Sequence, residues 1–232
     1  MVTPVAARRD CAPNGRIPHE QQQSDGRQGA RVGAADTGVI YLALVAATFA
    51  FGINLAADRA MQAVLHLTVI LSAIAYVLFA DAIYAARADK ADARPALLFA
   101  ALFAVLVITA RCVGLTIVST AALYTQDGIF NFYAPASLTR TVELAGWTVL
   151  YPLSMLFFAR LFKRAGRKAT AALALASALC CFVGFFSFVS PAAVFLYIGL
   201  LGWGPLFLAV VIAYMAGPLR DGTFADAATR ER

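Results

Sequence analysis

The sequence is poor in charge and in the residue types that enzyme active sites most often use. Charged residues make up 14% of its 232 positions, whereas a soluble domain has about a quarter. The only two histidines, His19 and His66, exclude a haem with two axial histidines, a histidine-rich di-iron centre and an H-E-x-x-H metalloprotease motif. G-x-G-x-x-G, G-x-S-x-G and Walker lysine motifs are also absent. We therefore predict no catalytic residue, no metal site and no cofactor, and a non-enzymatic protein is favoured.

Cysteine is sparse as well. The chain has four, at Cys11, Cys112, Cys180 and Cys181, and their spacing matches neither a metal site nor a disulfide framework. The adjacent pair lies within an apolar run, where small polarisable side chains serve helix packing. A redox role for this pair is the less favoured alternative.

What the sequence has in excess is apolar residues, at 61% with a mean hydropathy of +0.74. A helix needs about 20 apolar residues to cross roughly 30 Å of hydrocarbon, and unpaired backbone groups are too costly in lipid for irregular spans. The predicted fold is therefore all-α, a polytopic bundle of six transmembrane helices. The predicted spans cover residues 38–56, 61–85, 95–123, 141–162, 169–189 and 191–216.

Polar segments flank the predicted bundle. Residues 1–36 are rich in Gln, Gly, Arg and Pro without apolar periodicity, which predicts a disordered cytoplasmic tail. A start codon further along the chain is an alternative for part of it. The transmembrane domain is predicted over residues 37–217, and a second cytoplasmic tail over 218–232. The longest connector, 124–140, is rich in aromatic residues and predicts either a surface loop or a cap over a cavity.

The basic residues alternate between the predicted connectors. Sixteen of the 19 Lys and Arg lie in the two tails and in the connectors at 86–94 and 160–168, while only Arg59 and Arg140 lie on the other side. Cytoplasmic connectors carry the excess of Lys and Arg, so the pattern predicts cytoplasmic N and C termini and a multi-pass protein of the bacterial inner membrane. Anionic lipid head groups account for the net charge of +6 without a nucleic-acid partner.

Arg111 is the basic residue that this topology leaves in mid-span. A cation there costs at least ~2.5 kcal/mol on insertion scales, so it is expected to face protein, water or an acid. Glu143 is the favoured partner and Asp81 the alternative. Two interpretations stay open: Arg111 binds a carboxylate, phosphate or lipid head group, or it forms a structural ion pair that locks two helices together.

The helical period adds a prediction about the third span. Cys112 and Thr116 belong to a stripe of small polar residues on the side of the helix opposite Arg111 and Gly114. We expect both sides to be shielded from lipid, which would place the third span at the centre of the bundle.

Two spans carry a proline near their centre, Pro152 and Pro205, shortly after a Gly–Trp pair. Proline removes a backbone hydrogen bond and clashes with the preceding turn, so both spans are predicted to kink. Freed carbonyls beside Tyr151 and Trp203 would line a ligand site, although close helix packing is the favoured alternative.

Four residues are thus candidates for ligand binding, namely Arg111, Glu143, Tyr151 and Trp203. Asp81 and His66 are candidates for proton transfer or ion pairing. For His66 a hydrogen bond between helices is favoured, and for Asp81 an ion pair near the membrane surface.

Three segments carry a resemblance to known proteins. They are residues 38–44, which read GVIYLAL, residues 64–84, which end in Ala-Ile-Tyr before a short basic connector, and residues 104–115, which read AVLVITARCVGL. Over about residues 38–216 the chain resembles a bacterial family of six-span integral membrane proteins catalogued only as a domain of unknown function. The resemblance implies that fold but no activity. It also implies an acidic residue shortly after the third-span arginine, where this chain has Gly114.

The favoured function is a non-enzymatic membrane protein that acts through helix packing with lipid or protein partners. The alternative is a small transporter, or a binder of a hydrophobic or anionic ligand, with a cavity near Arg111, Pro152 and Pro205. A membrane-embedded enzyme ranks third because no nucleophile, base or metal constellation is recognisable. The expected partners are the lipid bilayer, an anionic lipid or small ligand, and a second copy of the chain.

Overall fold

The computed structural model describes residues 59–85, 90–119, 137–190 and 192–221, and every regular element within these ranges is helical. The predicted tail, the first predicted span and most of the connector at 124–140 lie outside the described residues. The α-helices are α1 (Arg59–Ala85), α2 (Ala93–Ser119), α3 (Leu138–Ala145), α4 (Tyr151–Arg164), α5 (Lys168–Gly184), α6 (Ala193–Leu201) and α7 (Phe207–Asp221). A first π-helical segment, Gly146–Leu150, joins α3 to α4, a second, Gly202–Leu206, joins α6 to α7, and a 3₁₀ turn, Phe185–Phe188, follows α5.

Five continuous helices of the described chain are long and apolar enough to cross a membrane. They are Arg59–Ala85, Ala93–Thr116, Leu138–Arg164, Lys168–Phe188 and Ala193–Ala216. Each corresponds to one of the second to sixth predicted spans, so the helical fold class and these five apolar helices are confirmed.

Two helix ends differ from the prediction. The third long helix begins at Leu138, three residues before the predicted start, because Ser137 caps it and its hydroxyl accepts the Arg140 N–H at 3.3 Å. The last helix continues to Asp221, beyond the predicted stop at 217. Pro218 cannot donate to the carbonyl of Tyr214 four residues earlier, and Arg167 Nη1 donates to that oxygen instead, at 3.0 Å. The helix therefore extends four residues past the predicted boundary between domain and tail at 217–218, and the place of that boundary in the membrane stays a prediction.

Aromatic side chains fill the centre of the bundle. Tyr76 of α1 is completely buried, and its ring packs within 6.4 Å, centroid to centroid, of five others, which are Phe103, Tyr151, Phe158, Trp203 and Phe207. Phe79 of α1 also contacts Tyr214 of α7, with ring centroids 5.5 Å apart. Because α1 packs on α2, α2 on α4, α4 on α5 and α5 on α6 and α7, these contacts between α1 and α7 close the described helices into a bundle.

The outside of α1 is a continuous apolar stripe. Its exposed large residues follow a helical spacing of three and four, at Val64, Leu67, Leu71, Ile74 and Leu78. Large exposed apolar residues also lie on α2, α5, α6 and α7. An apolar surface of this extent is typical of helices that face lipid.

The predicted shielding of both sides of the third span is wrong. Arg111 and Gly114 are buried, but Cys112 and Thr116 are exposed. The Thr116 hydroxyl donates to the Cys112 carbonyl at 3.0 Å, as threonine commonly does one turn back along a helix. Because that bond satisfies the hydroxyl within its own helix, the polar stripe does not need to face protein.

Two chains of neutral hydroxyl groups cross the apolar interior. In the first, Tyr76 Oη donates to Ser154 Oγ at 2.7 Å, and Ser154 Oγ donates to the Ala96 carbonyl at 2.8 Å. In the second, Ser177 Oγ donates to the Gly202 carbonyl at 2.7 Å and lies 2.7 Å from Tyr151 Oη. A serine has one hydroxyl proton, so Tyr151 is the donor of that bond. Each chain joins different helices through hydroxyls that are all paired.

Candidate functional site

A buried charged cluster lies where α1, α2 and α3 meet, and it consists of His66, Arg111, Glu143 and Trp147. Arg111 and Glu143 are 7% and 3% exposed, so both charged side chains are buried inside the helix bundle. Arg111 Nε and Nη2 donate to the same oxygen, Glu143 Oε1, at 2.9 and 2.5 Å. The predicted pairing of these two residues is therefore observed in the structure, and it joins α2 to α3.

His66 joins α1 to this pair. Its Nδ1 lies 3.3 Å from Arg111 Nη1. A guanidinium has donors and no acceptor, so the Nδ1 atom must accept and the ring proton of His66 lies on Nε2. The imidazole in this contact is therefore neutral, and the four described residues of the cluster carry one positive and one negative charge.

Gly114 makes room for the imidazole. A Cβ at this position would lie 2.5 Å from His66 Cε1 and 2.8 Å from His66 Nε2, closer than such atoms approach. His66 thus occupies the volume that a side chain on α2 would otherwise fill, one turn beyond Arg111. The acidic residue that the family resemblance implied near this position would compete with the imidazole for the same space.

Trp147 connects the charged cluster to the aromatic core. Its indole Nε1 donates to Glu143 Oε1 at 2.9 Å, which is the spacing of two residues one turn apart on a helix. The ring lies 4.7 Å from that of Phe103 and 3.9 Å from that of Trp203, centroid to centroid. Trp147 belongs to the first π-helical segment, where the Tyr151 N–H bonds to the Gly146 carbonyl five residues back. Such wide turns often occur at functional sites.

The two oxygens of Glu143 have different surroundings. Oε1 accepts three N–H donors, two from Arg111 and one from Trp147. Oε2 is buried and has no hydrogen-bond partner within the described part of the chain. Buried polar atoms are nearly always paired in folded proteins, so this oxygen is an exception at the centre of the cluster.

The other predicted site residues are not members of this cluster, although Trp203 packs against its Trp147. Tyr151 and Trp203 pack against each other in the aromatic core, with ring centroids 4.9 Å apart, and Tyr151 bonds to Ser177 rather than to Arg111. Asp81 is exposed on α1, 15 residues along the helix from His66, which corresponds to about 22 Å. Pro152 and Pro205 were predicted to kink their helices. Pro152 lies two residues after the first π-helical segment, and Pro205 lies within the second. Trp147 was missed as a member of the site.

A second ion-pair group lies at the end of α4, far along the third long helix from Glu143. Asp92, just before α2, is 5% exposed and lies 2.8 Å from Arg164 Nη1 and 3.6 Å from Arg160 Nε. Both arginine side chains remain more than half exposed, at 61% for Arg160 and 56% for Arg164. These ion pairs join the start of α2 to the end of α4. The guanidinium groups of Arg160 and Arg164 remain partly exposed at the surface.

Within the described ranges no cluster of three or more His, Cys, Asp or Glu side chains is arranged to hold a metal ion. Comparison with protein-family models, with curated proteins and with solved structures finds no match for this chain. What the site can bind is therefore inferred from the chemistry of its own residues.

Proposed function

We propose that the chain is a six-span integral membrane protein of a bacterial inner membrane, with both termini in the cytoplasm. Five apolar helices with exposed apolar stripes support the membrane assignment. The basic connectors support the orientation, because Arg160, Lys163, Arg164 and Lys168 are exposed together at one end of the bundle. A reporter fused to the C terminus that is active only in the periplasm would contradict this topology.

Within the membrane, the protein acts through helix packing with lipid or protein partners and carries out no chemistry of its own. The observation that supports this function is the Arg111–Glu143 pair. The guanidinium gives Nε and Nη2 to one glutamate oxygen, so the mid-span cation is neutralised by the protein. Beside it, contacting aromatic rings occupy the centre of the bundle. The outer surface then remains as the place where a partner is recognised.

Anionic lipid is the partner that the charge distribution favours. Basic residues near a membrane surface attract anionic head groups by about 1 kcal/mol each. Lys163 and Lys168 are exposed beside Arg160 and Arg164, and the apolar stripes above them would contact the acyl chains. A second copy of the chain is another occupant for these stripes.

Native mass spectrometry of the full chain, released from nanodiscs of mixed phosphatidylcholine and phosphatidylglycerol, tests this function. We expect retention of the anionic lipid, reduced in the double variant Lys163→Gln/Lys168→Gln. The matched control is Arg59→Gln, which changes a basic residue at the opposite end of the bundle, where α1 begins. Equal retention of both lipids by all three proteins, without any retained protein partner, would overturn the proposal.

The second candidate function is binding or transport of a small ligand at the charged cluster. The Oε2 atom of Glu143 favours it, because this buried acceptor receives no hydrogen bond from the described residues. An anionic ligand fits poorly, since it would lie close to the Glu143 carboxylate, which already neutralises Arg111. Flux of neutral and charged solutes into proteoliposomes, compared with the double variant Arg111→Met/Glu143→Leu, tests transport. Flux that is equal in both proteins would overturn transport. Binding without transport is tested separately, at the Glu143 carboxylate.

A further inference from the structure

Glu143 has an acceptor that is both buried and unused. Its Oε1 atom is saturated by three N–H donors, whereas Oε2 accepts none from the described residues. The residue is 3% exposed, so bulk solvent does not supply the missing donor. A carboxylate can accept about four hydrogen bonds, divided between its two oxygens, and leaving a buried acceptor without a donor is costly.

The charge of the cluster restricts what can bind there. Arg111 and Glu143 cancel, and His66 accepts at Nδ1 from Arg111 and is therefore neutral in this contact. A cation beside Oε2 would add a net positive charge close to the guanidinium. An anion would meet the negative oxygen itself. Because an uncompensated charge is costly at a site that is only 3% exposed, the occupant that fits these residues is neutral and carries a polar hydrogen.

Glu143 lies near the start of its helix. It is in the second turn of a helix that begins at Leu138, about 8 Å from the helix end. One turn further along, the Trp147 indole donates to Oε1 and packs on Trp203. The aromatic core therefore borders the cluster on this side.

We propose that Glu143 Oε2 is the binding point for a neutral hydrogen-bond donor, either the hydroxyl or amide N–H of a small solute or a water molecule. The inference depends on the second candidate function for its solute form and not for its water form. The ligand class differs from the anionic one that a mid-span arginine alone would suggest, because Glu143 already neutralises the guanidinium and the Oε2 acceptor receives no hydrogen bond from the described residues.

Infrared spectroscopy can observe this oxygen directly. The chain has three glutamates, Glu20, Glu143 and Glu231, so the variant Glu20→Gln/Glu231→Gln labelled with ¹³C-carboxyl glutamate has a single labelled carboxylate. The labelled full chain is reconstituted in lipid films, and the antisymmetric carboxylate stretch is followed first with film hydration and then with added 1-propanol, propylammonium or propionate. Loss of the band in Glu143→Gln confirms its assignment. If that variant does not fold, Arg111→Met/Glu143→Gln, which removes both charges together, replaces it.

We expect 1-propanol to shift the Glu143 band saturably, with half-saturation at least about tenfold below that of either charged analogue. A band that shifts with hydration but not with propanol identifies water as the donor, which upholds the Oε2 site and overturns the ligand-binding function. A band that responds to neither overturns the inference. Equal half-saturation for propanol and propylammonium or propionate overturns it too, because the neutral-ligand argument then fails.

Discussion

The bundle contains two kinds of buried polar structure, and they differ in how completely they are paired. The Tyr76–Ser154 and Tyr151–Ser177 chains are neutral, and each ends on a backbone carbonyl with all its hydroxyl donors used. The charged cluster of His66, Arg111, Glu143 and Trp147 leaves one carboxylate oxygen bare. Fully paired polar groups make a core unique and rigid. A partly paired group can still accept an additional hydrogen bond. We therefore regard the hydroxyl chains as structural and the charged cluster as the candidate binding site.

The charged cluster and the Tyr151–Ser177 chain both involve a π-helical segment. The first segment carries Trp147, which bonds to Glu143, and the second begins at Gly202, whose carbonyl accepts from Ser177. Both segments start with Gly–Trp and are followed or interrupted by a proline. The same local sequence thus places the Trp147 indole beside the Glu143 carboxylate in one helix, and the Gly202 carbonyl beside the Ser177 hydroxyl in the other.

Removing one member of the ion pair should have the largest effect. Glu143→Leu leaves Arg111 buried and unpaired from its carboxylate, which we expect to cost about 3–5 kcal/mol of unfolding free energy. Adding Arg111→Met should recover most of that loss, because no charge is then left in the cluster. Reversible unfolding in mixed micelles, followed by helical circular dichroism, measures both. A double variant no more stable than Glu143→Leu would show that the pair is not the reason for the loss.

The two glycines that start the π-helical segments should respond differently to alanine. A Cβ on Gly202 would lie 2.7 Å from both Cys181 Sγ and the Ser177 carbonyl oxygen, and backbone cannot move aside easily. Gly202→Ala should cost about 1–3 kcal/mol. A Cβ on Gly146 would meet only side chains, the nearest being Val107 Cγ2 at 3.2 Å. Gly146→Ala should stay within about 1 kcal/mol of the parent. Equal costs in the same unfolding assay would remove the distinction between the two segments.

The first hydroxyl chain should be broken more severely at its centre than at its end. Ser154→Ala removes the acceptor of Tyr76 and the donor to the Ala96 carbonyl together, so we expect a loss of about 1–3 kcal/mol. Tyr76→Phe leaves the serine bonded to the carbonyl and should cost about 0.5–1.5 kcal/mol. The reverse order of stabilities, measured by thermal unfolding, would mean that the chain does not act as described.

The smallest effect is expected at Gly114. Alanine there would push the His66 ring away from Arg111, with the loss of one hydrogen bond worth about 1 kcal/mol. In a His66→Ala background the same substitution should be nearly silent, because the obstructing ring is gone. A double-mutant cycle on unfolding free energies measures this coupling. If the free-energy costs of Gly114→Ala and His66→Ala simply add, the imidazole does not lie against position 114.

Much of this architecture could be predicted from the sequence. Long apolar runs predicted five of the observed helices within a few residues, because length and hydropathy dominate the choice of span. Glu143 was identified as the partner of Arg111 because few acids lie at comparable depth. The helix ends were less predictable, since Ser137 extends one helix and the Arg167 bond to the Tyr214 carbonyl carries another past Pro218.

Other features depend on contacts between helices that the sequence does not display. Trp147 could have been found from its position one turn after Glu143, but Tyr151 and Trp203 were equally reasonable candidates from their places beside the two prolines. The need for a glycine at position 114 arises from the ring of His66, which belongs to a different helix. Likewise, the small polar stripe of Cys112 and Thr116 was expected to face protein, whereas hydrogen bonding within the helix lets it remain exposed.

The contact between the indoles of Trp147 and Trp203 gives the protein an optical signal of its own conformation. These are the two tryptophans of the chain, and their rings meet at 3.9 Å with an interplanar angle of 68°. Chromophores this close and this oblique share their excitation, which produces a paired positive and negative circular-dichroism band. Because one ring belongs to the third long helix and the other to the last, separation of these two helices would extinguish the band without any attached label.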